Sequence, residues 1–113
     1  MTYLPLTPPG QTPRRVMTIA GSDSGGGAGI QADMRTFAML GMHGLVAVTA
    51  VTVQNSLGVK GFHEVPLDVI AGQIEVVAGD IGVQAAKTGM LASSEIIDTV
   101  ATTWRRAAPD VPL

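Results

Sequence analysis

The stretch TIAGSDSGGGAGIQAD, Thr18 to Asp33, sets five glycines between an apolar run and a segment of helical periodicity. A backbone without Cβ atoms turns tightly and comes close to a ligand. A helix that follows it adds free N–H groups and the positive end of its dipole. An anion or a flat polar ring suits that setting. A flexible connection is the plainer explanation, although fewer glycines would suffice for it. A Walker phosphate loop requires Gly-Lys-Ser/Thr, whereas Gly29 precedes Ile30 and Gln31. GAGIQA (Gly27, Gly29, Ala32) has a dinucleotide-type spacing, but Gln54 and Asn55 stand where an acidic residue should meet the ribose.

Four further residues carry chemistry. Asp33 lies about 60° from the centre of the Ile30, Met34, Phe37 stripe, which predicts a partly buried carboxylate that needs hydrogen-bond donors. A ligand could supply them, as could a neighbouring loop. Gln54 follows a fully apolar run, and its amide both donates and accepts, as the edge of a heteroaromatic ring requires. Capping of a strand end is the competing explanation. Lys87, in AAKTG, is expected to pair with a carboxylate such as Glu75 or Asp80. No Ser-x-x-Lys accompanies the KTG, so a β-lactamase-type site is set aside. Met90 suits an apolar pocket wall or the core. His43 and His63 read as turn and strand residues without a second metal ligand at suitable spacing.

The elements that must position these residues follow from periodicity. Met1 to Arg15 carry Pro5, Pro8, Pro9 and Pro13 and read as a flexible, proline-rich lead-in (1–15), with the remaining 16–113 as one unit. Val16–Ala20 reads as a strand, and Ile30, Met34 and Phe37 mark a helix that closes near Gly41. Leu45–Val53, an unbroken β-branched and alanine run, predicts a strand covered on both faces. A smaller strand around Val59–Val65 follows. Pro66 and Asp68 open a helix with Ile70, Ile74 and Val77 on its inner face. Gln84–Leu91 reads as a short buried strand running into a glycine turn. Ser93 is the predicted N-cap of a last helix, with Ile97, Val100, Ala101 and Trp104 inward. The order predicts an α/β domain with a largely parallel sheet and helices on its faces. Ligands in such sheets sit beyond the carboxyl ends of the strands. That points to 21–29, 54–58 and 88–91.

Composition narrows the function classes. The 113 residues are 46% apolar and 14% charged, which suits one domain with a buried core. Seven Lys plus Arg against nine Asp plus Glu give a net charge of −2 without a basic stripe, which argues against nucleic acid. Cysteine is absent, so neither a disulfide framework nor a thiolate metal site is expected. There is no leader pattern or membrane-length apolar run, and the expected setting is cytoplasmic.

Together, TIAGSDSGGGAGIQADMRTF, AVTAVTVQNSLGV and KTGML, in this order and spacing, resemble the N-terminal part of the hydroxymethylpyrimidine/phosphomethylpyrimidine kinases of thiamine biosynthesis, a ribokinase-like family. The resemblance runs from about Val16 to Trp104. It implies a three-layer α/β sandwich, of which only the N-terminal half is expected here. It implies an ATP- and magnesium-dependent kinase acting on 4-amino-5-hydroxymethyl-2-methylpyrimidine and its monophosphate. By the same resemblance Asp33 and Gln54 hold the aminopyrimidine, Gly21 and Ala28 form its floor, and Met90 is an apolar contact. Family members are longer, and their catalytic residue, anion hole and ATP site lie in the C-terminal half. The expectation is therefore a truncated, inactive portion with no catalytic or metal-binding residue, and with a homodimer as the assembly. Alternatives are a pyridoxal or pyridoxine kinase of the same fold, an NAD-dependent oxidoreductase, and a non-catalytic binding half-domain.

Overall fold

The computed structural model describes residues 6–113, so Met1–Pro5 of the expected lead-in lie outside the described residues. The elements run β1 (Arg15–Ser22), α1 (Gly29–Met39), β2 (His43–Asn55), β3 (Gly58–Glu64), α2 (Leu67–Asp80), β4 (Ala85–Thr88) and α3 (Ser94–Ala107). The sheet order is β3-β2-β1-β4. β1 pairs in parallel with both β2 and β4, while β3 returns antiparallel along β2 as a hairpin.

Strand alternation divides the layers. Met17 and Ile19 of β1 and Leu45 and Ala47 of β2 pack with Ile70 and Ile74 of α2 and Ile96, Val100 and Trp104 of α3. The opposite face receives α1, where Met34 and Phe37 lie over Gly44. A Cβ at Gly44 would meet Met34 Sδ at 2.6 Å and Phe37 Cδ2 at 3.1 Å, so this glycine allows helix and strand to touch. α2 also caps a strand edge. The Gln73 Nε2 donates to Val48 O at 3.0 Å, and Val48 N donates to Gln73 Oε1 at 2.9 Å. One side-chain amide thereby satisfies both backbone groups of a β2 residue beyond the reach of β3.

Two expectations need correction. The inner stripe of α3 is Ile96, Val100, Thr103 and Trp104, whereas Ile97 is 52% exposed. Both registers share Val100 and Trp104. The Trp104 indole donates to Val111 O at 3.1 Å and fixes the phase, leaving Ile97 about 100° round from Ile96. Coverage of β2 is also incomplete, since Val51 and Val53 are 51% and 63% exposed. They extend past the helices that cover Leu45 and Ala47. Ser93 does cap α3, its side chain accepting from Ile96 N at 3.3 Å.

Arg106 and Glu75 pair across α3 and α2 on the surface. Both side chains are substantially exposed, so solvent screens the pair, and Arg106→Ala is expected to change unfolding free energy by less than about 1 kcal/mol. Chemical denaturation checks this; a larger loss would show that the pair holds the two helices together.

Candidate acceptor cleft at the strand ends

A cleft of about 300 Å³ opens at the carboxyl ends of β1, β2 and β4, at the small end of small-molecule pockets. All three segments singled out by the strand-end rule contribute to it. Gly21, Ala28, Gln54 and Met90 line it, together with Lys87 and the hairpin residue Phe62. Close packing shapes the floor: a Cβ at Gly21 would come within 3.2 Å of Met90 Cε.

The glycine loop is organised by a residue that periodicity does not single out. Asp23 is only 6% exposed, and its carboxylate accepts from Gly25 N at 2.8 Å, Gly27 N at 2.9 Å and Ala28 N at 2.8 Å. The loop's anion is therefore its own. The signal was an aspartate just before a glycine run, since Asp side chains bond the backbone two residues on. This geometry opposes a nucleotide reading of GAGIQA, because the amides that would meet a phosphate are already engaged. Gln31 adds a brace: its Oε1 accepts from Asp23 N at 2.8 Å and its Nε2 donates to Ser22 Oγ at 2.7 Å.

Gln54 is held by its backbone and leaves its amide available. Gln54 N donates to Ser24 Oγ at 2.7 Å, tying the end of β2 to the loop. Thr52 Oγ1 lies 2.8 Å from Ser22 O and 3.2 Å from Gln54 Oε1, but a hydroxyl has one proton to donate. Among the described residues Gln54 Nε2 has no hydrogen-bond partner. Gln54 also belongs to β2 itself rather than to a loop beyond it, paired with Val59 of β3.

Asp33 is not in the cleft lining. Its Oδ2 accepts from Thr18 Oγ1 at 2.6 Å and from Lys87 Nζ at 3.0 Å, and its side chain is 19% exposed. Lys87, which does line the cleft, thus stands in front of it. The expected partners Glu75 and Asp80 are excluded by alternation. Lys87 is in register with Thr18 on the α1 face of the sheet, whereas α2 covers the other face. His43 and His63 are exposed strand residues.

Among the described residues no group of three His, Cys, Asp or Glu could hold a metal ion. The engaged loop does not fit a nucleotide phosphate. No helix among the described residues is long and apolar enough to cross a membrane.

The model of the phosphomethylpyrimidine kinase family matches residues 23–112. The hydroxymethylpyrimidine/phosphomethylpyrimidine kinase of Mycobacterium tuberculosis strain H37Rv is 76% identical over 113 residues, covering 100% of this chain and 41% of that protein. Its counterpart from Mycobacterium leprae is 66% identical, over 100% of this chain and 40% of its own length. The chain therefore spans well under half of these curated relatives. The crystal structure of phosphomethylpyrimidine kinase from Clostridium difficile superposes with a TM-score of 0.83 at 42% identity, covering 88% of this chain and 43% of that one. A Staphylococcus aureus pyridoxal kinase in complex with AMP-PCP and pyridoxal superposes at 0.78 with 36% identity, over 90% of this chain and 38% of that one.

Proposed function

This chain belongs to the phosphomethylpyrimidine kinase family, and on that premise we propose that it forms the acceptor-binding part of a ribokinase-like kinase of thiamine biosynthesis. The reaction is the phosphorylation, by ATP with magnesium, of the hydroxymethyl group of 4-amino-5-hydroxymethyl-2-methylpyrimidine and then of its monophosphate. The observation that carries this reading is the convergence of Gly21, Ala28, Gln54 and Met90 on one cleft at the strand ends. The pyrimidine kinase is favoured over a pyridoxal kinase by the 76% identity to the M. tuberculosis protein, against 36% to the S. aureus one.

In this assignment Gly21 and Ala28 form the floor under the ring, Met90 is an apolar wall, Gln54 holds the aminopyrimidine edge, and Asp33 acts on that edge from behind Lys87. Gln54 offers its Nε2, which has no partner among the described residues, and Asp33 holds Lys87 at the cleft. Phosphoryl transfer depends almost wholly on positioning and charge stabilisation. What these residues supply is positioning: a narrow floor, an apolar wall and polar groups at the ring edge. Residues 16–113 act as one unit, which Arg15 joins as the first residue of β1, with the proline-rich segment before it as a lead-in. The cytoplasm is the proposed site of action, as a nucleotide-dependent biosynthetic role requires. A homodimer is the proposed assembly, supported by the exposed Val51 and Val53 of β2, which a second copy could cover.

Turnover of hydroxymethylpyrimidine and of pyridoxine, measured with ATP and magnesium on the native polypeptide that carries this chain, tests the reading. Phosphorylation of the pyrimidine is expected; turnover of pyridoxine with none of the pyrimidine would overturn it. Asp33→Ala and Gln54→Ala are each expected to weaken pyrimidine binding by about 1 to 3 kcal/mol, through lost or unpaired hydrogen bonds. Calorimetric titration checks this, and unchanged affinity in both variants would remove them from the site.

A further inference from the structure

Lys87 is the cationic residue of the cleft lining among the described residues, and Asp33 holds its ammonium group there. Its Nζ lies 3.0 Å from Asp33 Oδ2, the oxygen that also accepts from Thr18 Oγ1 at 2.6 Å. The carboxylate is thereby held from two sides, by β1 and β4, and in turn holds the ammonium in place. Lysine has three N–H donors, and the contact with Asp33 uses one. The Lys87 side chain is 43% exposed, and among the described residues its ammonium has no second hydrogen-bond partner. Nearby, Gly89 packs closely against β1, where a Cβ would lie 2.7 Å from Ala20 Cβ.

The walls decide which ligand atom meets these donors. Val59, Phe62 and Met90 give the cleft apolar sides suited to the faces of a flat ring, while Gln54 and Lys87 supply its polar edges. In-plane acceptors of a flat heterocycle are its ring nitrogens. We propose that Lys87 donates a charge-assisted hydrogen bond to a ring nitrogen of the acceptor substrate, with Asp33 as the positioning residue that holds the ammonium. This inference rests on the pyrimidine-binding role proposed above. A cationic ring would be disfavoured at the same edge, because it would meet a fixed positive charge.

Calorimetric titration of the chain with hydroxymethylpyrimidine, and with 2-aminobenzyl alcohol as a similarly shaped probe lacking ring nitrogens, tests the proposal. Lys87→Met is expected to weaken the pyrimidine by about tenfold to a hundredfold. Lys87→Arg should recover part of that loss. The weaker affinity for 2-aminobenzyl alcohol should not change, since that probe offers the ammonium no ring nitrogen. Lys87→Met leaves Asp33 without its cation, so the comparison is repeated in an Asp33→Asn background, where a smaller but still selective loss is expected because the ammonium is less firmly held. Pyrimidine affinity within about twofold of the unaltered chain, or an equal loss for both probes, would overturn the role of Lys87. If the unaltered chain fails to bind the pyrimidine, the underlying functional reading falls first and this inference with it.

Discussion

Asp23→Ala is expected to lower the unfolding free energy by about 3 kcal/mol and to abolish binding in the cleft. The carboxylate accepts three backbone N–H groups, from Gly25, Gly27 and Ala28, and no other side chain among the described residues accepts from them. Hydrogen bonds to a charged group contribute about 1.5 to 3 kcal/mol each, but water can partly replace these in a loop whose glycines are half-buried or exposed. The net loss is therefore below the sum. Asp23→Asn should recover little. Oδ1 and Oδ2 both accept, so either orientation of an amide turns an NH₂ towards at least one backbone N–H. The denaturation midpoint and the pyrimidine affinity report the two consequences separately. An unchanged midpoint in Asp23→Ala would show that the loop does not depend on its internal anion.

Gly29→Ala should be more damaging still, by about 4 kcal/mol, because two effects coincide there. Gly29 begins α1 at φ +59, in the left-handed region that side chains disfavour. A Cβ would also sit 2.3 Å from Gly21 O, a backbone atom at the end of β1 that cannot move aside as a side chain can. Gly21 and Gly29 both line the cleft, so relieving the clash would displace the site itself. Gly26 is the natural control. It has φ +78 but open space around its Cβ position, so Gly26→Ala should cost only the conformational term, about 1 to 2 kcal/mol. Equal losses in the two variants, measured by chemical denaturation, would show that contact with Gly21 is not what requires a glycine at 29.

The layered architecture was legible where local patterns carry their own phase. Ile70 and Ile74, one helical turn apart after Pro66, are both fully buried, and Ser93 caps the helix it was expected to cap. Phase was lost where two stripes overlap, as in α3: Ile96 and Ile97 are equally apolar, and Trp104 fixes the choice through a bond to Val111 outside the helix. The apolar run of β2 likewise does not mark where the helices beneath it end, so Val51 and Val53 could not be told from Leu45 and Ala47.

Much of the cleft could be read because its backbone requirements appear as glycines and strand ends. Gly21, Ala28, Gln54 and Met90 meet although they come from three separate segments. Charge pairing was far less legible. Lys87 and Asp33 are 54 residues apart and meet because β4 lies beside β1 with Lys87 on the face that α1 covers, a register that no local pattern encodes. The Gln73 bridge to Val48 was hidden for the same reason. Asp23 is a different case. Its bonds are local, but the glycines beside it drew attention to the backbone as the binding group and away from the carboxylate that fills it.

The most direct test of the cleft as a pyrimidine acceptor site is an amide chemical-shift titration of the chain with hydroxymethylpyrimidine, reading both backbone and Gln side-chain N–H signals. The account predicts saturable shifts at Gly21, Ala28, Met90 and the Gln54 side-chain amide, with α3 unaffected. Shifts absent from those positions at saturating pyrimidine would contradict it.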